Sequence, residues 1–262
     1  LEIPVGSRFS CGTLKLCCHR KRFQMVNTNW KCEEIGESGN SQFGQMIPID
    51  YIEGLETCYL TDLLIPGEDE EDTESIRTRY FDTFDTKPFG GNQKDYIQKT
   101  NALPGVGSTK VTPAWKGGGT VLLTILDSNY DAASSTLIKS VQEAIDPDPQ
   151  GEGLGIAPID HIVTVNTATN VTVNVSTSLT FDEGYSFNAL KTTITNTISE
   201  YLKEIRTEWA NYSQSVVRIS QIETRLLGIK GIVDIANTKI NGSSSNLTLG
   251  KYEIPVMGGV SG

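Results

Sequence analysis

Histidine is nearly missing from this chain: 262 residues contain two, His19 and His161. They lie far apart, neither sits in an H-E-x-x-H pattern, and no Cys–His–Asn set assembles around them. Cysteine is scarce as well, at Cys11, Cys17, Cys18, Cys32 and Cys58. The count is odd, two are adjacent and no C-x-x-C occurs, which argues against a zinc knuckle and against a disulfide framework. All five fall in the first quarter on β-like stretches, where a reduced thiol packs as a small hydrophobe. Cations are outnumbered, with 22 Lys and Arg against 32 Asp and Glu, a net charge of −10. Binding to a phosphate backbone needs clustered positive charge. The single basic run, His19-Arg20-Lys21-Arg22, is too short to supply it and reads as a charged turn or hairpin end. Nucleic acid and electrostatic attachment to anionic lipid are therefore disfavoured. No apolar stretch approaches the roughly 20 residues of a membrane helix. A basic-then-apolar leader is absent and the first residue is Leu1, read as a processed or truncated start.

What is present is enough apolar material for ordinary cores, 37% hydrophobic residues with 21% charged. Composition shifts near residue 73 and again near residue 150. The expected fold class is α+β and multi-domain: a β-rich, barrel-like domain at 1–66, then two α+β domains with mainly antiparallel sheets at 67–149 and 150–262. In the first, short apolar stretches at 22–26, 30–33, 44–52 and 56–64, separated by Gly, Asn and Ser, predict strands. The acidic run Gly67-Glu68-Asp69-Glu70-Glu71-Asp72-Thr73-Glu74 lacks the spacing of a calcium loop. Its place is before a helix N-terminus, where negative charge is favourable. Ile76, Tyr80, Phe81 and Phe84 follow at helical spacing, and Lys87-Pro88 should end that helix.

Gly90-Gly91-Asn92 predicts a turn with positive backbone dihedrals and a side-chain cap for a helix at 93–100. Strands are expected at 106–115 and 121–126 and a helix at 134–145. Asp146-Pro147-Asp148-Pro149-Gln150-Gly151-Glu152-Gly153 reads as a linker. Beyond it, after a strand at 162–165, Val171, Val173, Val175, Leu179 and Phe181 share one parity, the mark of a strand with one buried face. Leu190, Ile194, Ile198, Tyr201, Leu202, Ile205 and Trp209 form one stripe of a helix over 187–209. Ser220-Gln221-Ile222-Glu223 matches a capping box, with Gly228 ending that helix. Strands at 232–240, 246–249 and 252–254 complete the order.

No catalytic, cofactor-binding or metal-binding residue set emerges. Gly105-Val106-Gly107-Ser108-Thr109-Lys110 is followed by Val111-Thr112-Pro113, whereas a phosphate loop opens a helix. Gly151, Gly153 and Gly155 likewise read as turns. Matches to N-x-[ST] such as Asn170-Val171-Thr172 and Asn246-Leu247-Thr248 are expected by chance in a Thr- and Asn-rich β protein. The tryptophans Trp30, Trp115 and Trp209 fall one per predicted domain, as core residues would.

An ordered series of short motifs runs through nearly the whole chain. It begins with Ile3-Pro4-Val5-Gly6-Ser7-Arg8-Phe9, Cys32-Glu33-Glu34-x-Gly36-x-x-Gly39-Asn40 and Ile52-x-Gly54-Leu55. It continues with Arg77-x-Arg79-Tyr80, Phe89-Gly90-Gly91-Asn92-x-x-x-Tyr96, Pro104-Gly105-Val106-Gly107 and Pro113-x-Trp115-x-Gly117. It closes with Gly155-Ile156-Ala157-Pro158-Ile159, Gly231-Ile232-Val233-Asp234 and Glu253-Ile254-Pro255-Val256. In this order the motifs resemble the baseplate J-like family of phage tail proteins. The resemblance implies a structural, non-enzymatic component of a contractile-tail baseplate in a virion or tail-like particle, made in the bacterial cytoplasm. Its implied partners are other wedge proteins, the hub and tube, and further copies in a ring, with no nucleic acid, membrane anchor, small-molecule substrate or cofactor. The family's N-terminal arm is not matched by this sequence. The alternative expectation is a carbohydrate-binding or degrading tail component, which would show clustered surface aromatics or a carboxylate pair on strands.

Overall fold

The structure, a computed structural model, describes residues 3–18, 29–85 and 90–262, and for 82–85 the backbone alone. The chain divides into two units, Leu1–Lys87 and Pro88–Gly262. The basic run at 19–22, the expected strand at 22–26 and the expected helix stop at Lys87-Pro88 lie outside the described residues.

In the first unit, β1 (Arg8–Cys11), β2 (Leu14–Cys18), β3 (Trp30–Cys32), β4 (Gly44–Pro48) and β5 (Cys58–Leu60) form one antiparallel sheet in the order β3-β2-β1-β4-β5. The hairpin β1–β2 at its centre was not anticipated from the sequence. It turns at Gly12, whose φ of +59° suits glycine in a two-residue hairpin loop. Alternation sends Phe9, Cys11 and Leu16 inward beside Met46, and Trp30 packs edge-on against Phe9 at 4.5 Å between ring centroids. Buried Cys11 and Cys18 fill space as apolar side chains, none of the five cysteines is in a disulfide, and burial pushes the Cys58 thiol up. The sheet is open among the described residues, with β3 and β5 at its edges.

Helix α1 (Thr73–Asp85) follows the acidic run as the charge pattern predicts. The Asp72 carboxylate accepts from the Glu74 and Ser75 amides at 2.9 and 3.1 Å. The Ser75 hydroxyl, then these amides, hold that carboxyl below its ordinary value.

The second unit carries two sheets. The first contains β6 (Val106–Pro113), β7 (Thr120–Asp127) and β8 (Ile162–Thr167), with α2 (Gln93–Asn101) and α3 (Ser135–Ile145). Six successive buried residues, Val121–Leu126, make β7 the central strand, covered on both faces. β6 pairs with it antiparallel, but β8 pairs parallel, because the chain crosses back through α3 as a β-α-β unit. The Gly90-Gly91-Asn92 turn behaves as expected. Gly91 has φ +87°, and the Asn92 side chain accepts from the Asp95 amide at 2.8 Å.

The segment at 146–153 differs from the linker that its prolines and glycines suggest. Asp146 is buried, and its carboxylate accepts from Val163 N at 2.8 Å and Gly151 N at 3.0 Å. Gln142 Nε2 donates to the Asp146 and Val163 carbonyls, at 2.9 and 3.0 Å. Side-chain acceptors thus fix the loop and seat β8 beside β7, so the sheet begun at Val106 continues past residue 150.

The second sheet has β9 (Thr169–Phe181) at its centre, antiparallel to β11 (Ile232–Ile240) and parallel to β13 (Glu253–Ser261). A small ladder joins β10 (Val216–Val217) to β12 (Leu247–Thr248). Helices α4 (Phe187–Thr207) and α5 (Ile219–Leu227) cover one face, where Ile194, Ile198 and Leu202 meet Val173, Val175, Ile222 and Leu226. Fully burying each such side chain stabilises by about 1.5–3 kcal/mol. The capping-box expectation at Ser220 is corrected. α5 starts two residues earlier, with Arg218 at its N-cap and no side-chain cap from it, and Asn246 Oδ1 accepts from Ile219 N at 3.0 Å instead. The parallel pairs β7/β8 and β9/β13 also depart from a mainly antiparallel expectation, each requiring a long crossover.

Candidate functional site

Among the described residues, no three His, Cys, Asp or Glu side chains come together as metal ligands. His161 meets Tyr96: the phenol is hydrogen-bonded to His161 Nδ1 at 2.8 Å. Burial, then the Asp146 and Asp95 carboxylates, push that phenol up to about 12. This pair ties α2 to the loop before β8. A concavity of about 670 Å³ lies over β9, β13 and the turn after β11, lined by Thr172, Asn174, Ser176, Asn241 and Ser261 among others. Asn174 and Asn241 are engaged with each other and with neighbouring backbone, and no aromatic ring or charged group lines the surface. It therefore offers a sugar neither a stacking platform nor a carboxylate pair. Trp209 is fully buried, while Trp30 and Trp115 are half-buried in separate places.

A further polar construction lies at the joint between the two sheets of the second unit. β8 ends at Thr167 and β9 begins at Thr169, leaving buried Ala168 as the whole connection. Around it pack Leu126, Trp209 and Ile254. Arg206, near the end of α4, donates from Nε to the Tyr130 carbonyl and from Nη1 to the Pro255 carbonyl, both at 2.9 Å. Its Nη2 lies 3.2 Å from Asp131 Oδ1. One guanidinium thereby grips the loop after β7 and the strand β13.

The ammonium of buried Lys110 stands 4.0 Å from the Trp209 indole centroid and donates to the Lys251 carbonyl at 2.9 Å. Burial, then the Lys251 ammonium, pull the Lys110 pKa down to about 8. The Thr112 and Tyr252 hydroxyls share a hydrogen bond of 2.7 Å beside it. The arrangement links β6 to the turn before β13. It can hold two sheets as one rigid body.

The first unit instead presents apolar surface. Ile47 and Tyr59 project from the outer face of β4 and β5. The apolar side chains described on α1, Ile76, Tyr80 and Phe81, are 46%, 59% and 58% exposed. The sequence shows their spacing but cannot show whether anything covers them.

Residues 88–167 match the family described as Baseplate J-like central domain, and residues 173–262 match the Baseplate J-like protein C-terminal domain. The joint at Ala168 falls in the short gap between these matches. Phage-like element PBSX protein XkdT of Bacillus subtilis (strain 168) is 35% identical over 263 residues, covering 99% of this chain and 72% of that protein. Baseplate protein gp47 of Escherichia phage Mu is 32% identical over 99 residues, covering 36% of this chain and 27% of that protein. A chain in the cryo-EM structure of the anti-feeding prophage (AFP) baseplate aligns with a TM-score of 0.48 at 9% identity, covering 91% of this chain and 55% of that one.

Proposed function

This chain belongs to the baseplate J-like family, and on that premise we propose that it is a structural component of a contractile-tail baseplate, in a phage or a phage-tail-like particle, and not an enzyme. The observation that carries this reading is the joint at Ala168. Two consecutive family domains are locked into one body by Arg206, Trp209 and Lys110, as suits a part that transmits position and load between neighbours. In finer terms, the chain contributes to a wedge and, through repeated heterologous contacts, to a ring around the hub and tube. Its three parts are a β-rich, barrel-like N-terminal portion, a central domain and a C-terminal domain, the last two meeting at 168–172. The proposed site of assembly is the bacterial cytoplasm and the final location the particle's baseplate. A net charge of −10 opposes indiscriminate self-association, so the isolated chain should be a monomer or dimer until partners arrive.

Immunogold electron microscopy of particles carrying an epitope-tagged copy tests the reading. Label should collect at the baseplate end of the tail. Particles that assemble and purify without the tagged chain would sink it. Light scattering over a concentration series tests the dependence on partners, and closed rings formed by this chain alone would count against it.

A further inference from the structure

We propose that the turn before β13 and the neighbouring face of β6 form a binding site for one small oxyanion, with Lys251 and Lys110 as its cations. Lys110 and Thr112 stand two residues apart on β6 and so share one face of the strand. Both meet the same turn. Lys110 Nζ donates to the Lys251 carbonyl at 2.9 Å, and Lys251 Nζ donates back to Thr112 Oγ1 at 3.2 Å. Two ammonium groups are thereby drawn to one place.

That place holds no carboxylate to balance them. The chain has 32 Asp and Glu against 22 Lys and Arg, and Lys99, Arg206 and Arg225 each stand beside a carboxylate. Among the described residues, neither Lys110 nor Lys251 has one within ion-pair distance. After burial, the influence that lowers the Lys110 pKa is a second cation, the Lys251 ammonium. Like charges brought together away from bulk water are unfavourable, and an anion between them removes the cost.

Donors are available to hold it. An ammonium carries three N–H groups. Lys110 commits one to the Lys251 carbonyl, and Lys251 commits one to Thr112 Oγ1. The Thr112 and Tyr252 hydroxyls own two protons, and the 2.7 Å bond between them uses one, so one O–H is left whichever of them donates. Lys251 is exposed, and Thr112 and Tyr252 are half-buried. An anion therefore arrives from solvent against Lys251 and the hydroxyls, with the charge of buried Lys110 behind them. A compact group with several oxygens can accept from these donors together. A polyanion such as nucleic acid meets the repulsion of a net charge of −10, which a single small group largely escapes. Its source is a free ion or an acidic side chain of another protein.

Thermal unfolding of the whole chain, followed by tryptophan fluorescence, tests the site with sodium sulfate as the probe. Sulfate at about ten times its Kd should raise the melting temperature by about 2–4 °C over sodium chloride of equal ionic strength. Because Lys110 is buried, the decisive variant is at exposed Lys251. Lys251→Ala should abolish the sulfate response, while Lys230→Ala, which removes an exposed lysine elsewhere, should keep it. Circular dichroism checks that both variants retain the fold. Raising the pH from about 7 to about 9.5 should weaken the response, although sulfate itself keeps its charge. Lys110 loses its proton around its pKa of about 8. Burial alone would push the Tyr252 phenol up, but the Thr112 hydrogen bond and then Lys251 hold it below its ordinary value, so its ionisation acts in the same direction.

A blocked Gly–Ser peptide with two adjacent Glu, set against its Gln counterpart, distinguishes the sources. Displacement of sulfate by the Glu peptide assigns the site to a protein side chain, and sulfate binding without displacement assigns it to a free ion; either result supports the site. A response equal to that of chloride, or undiminished in Lys251→Ala, overturns it. A response that does not weaken with pH overturns the part given to Lys110. These measurements use the isolated chain and hold whether or not it enters a baseplate.

Discussion

Replacing Arg206 by alanine should be among the most damaging single changes away from the apolar cores. Its side chain is 10% exposed, and its two strongest contacts are neutral main-chain carbonyls, those of Tyr130 and Pro255, at 2.9 Å each. A buried acceptor deprived of its donor costs about 1–3 kcal/mol. The third contact, to Asp131, contributes little, because that carboxylate is 53% exposed and exposed pairs are worth about 0–1 kcal/mol. Water entering the vacated space offsets part of the loss, leaving an expected destabilisation of about 3 kcal/mol. Arg206→Lys should fall between, since a single ammonium lacks the fork that reaches both carbonyls. The assay is urea unfolding followed by the fluorescence of Trp209 and its fellow tryptophans. Lys139→Ala is the control, an exposed residue 3.9 Å from exposed Glu143, expected to change stability by less than about 0.5 kcal/mol. Hydrogen exchange should show faster opening near Asp131 and Val256 in Arg206→Ala, with the N-terminal sheet unchanged. A loss below about 1 kcal/mol, or exchange no faster than wild type, would refute the idea that this guanidinium clamps the two sheets.

Three further outcomes are expected. Gly91→Val should destabilise by about 1 kcal/mol or more beyond Lys94→Ala, because φ is +87° and an added Cβ would stand 2.8 Å from Pro158 and 2.9 Å from His161; equal urea midpoints would contradict this. The Lys110 pKa, about 8 when folded, lies below the ordinary lysine value of 10.5. The folded state therefore disfavours the proton, and the resulting penalty is full below pH 8 and fades as pH rises towards 10.5. Wild type should gain stability relative to Lys110→Met across that window, and a constant difference would contradict the shift. EDTA should leave the melting temperature unchanged, and a loss restored by one divalent ion would reveal a site not drawn from these residues.

Much of the second unit can be read from the sequence because its elements are governed locally. The odd-numbered run from Val171 to Phe181 becomes β9, the 187–209 stripe becomes α4 with a final short turn at Trp209, and Asn92 caps α2 as its chemistry suggests. What escapes is set by distant groups. Asp146 reads as part of a Pro- and Gly-rich linker until Val163 N is seen to need its carboxylate. The start of α5 depends on Asn246, 27 residues away, and the parallel seat of β8 depends on Gln142 and Asp146. The joint is equally invisible in one dimension. Arg206 and Lys110 look like ordinary surface cations, and only the folded chain shows each lodged against carbonyls contributed by other elements.

The single-residue passage at Ala168 makes chain length itself a carrier of information. Buried positions are odd-numbered on both sides of it, Val163 and Val165 before, Val173, Val175 and Thr177 after. Side chains in a strand alternate with a period of two, so one added residue here would present Thr172, Asn174 and Ser176 to a core shaped for valines. Two added residues would restore that phase but would lengthen the only tether between two bodies whose bolts, Arg206 and Lys110, are cut to a fixed reach. Insertions should therefore be tolerated in the Asn241–Ser245 turn, where side chains are mostly exposed, and rejected at Ala168. A hinge would be built from slack, and a connection of one buried residue supplies none between β8 and β9.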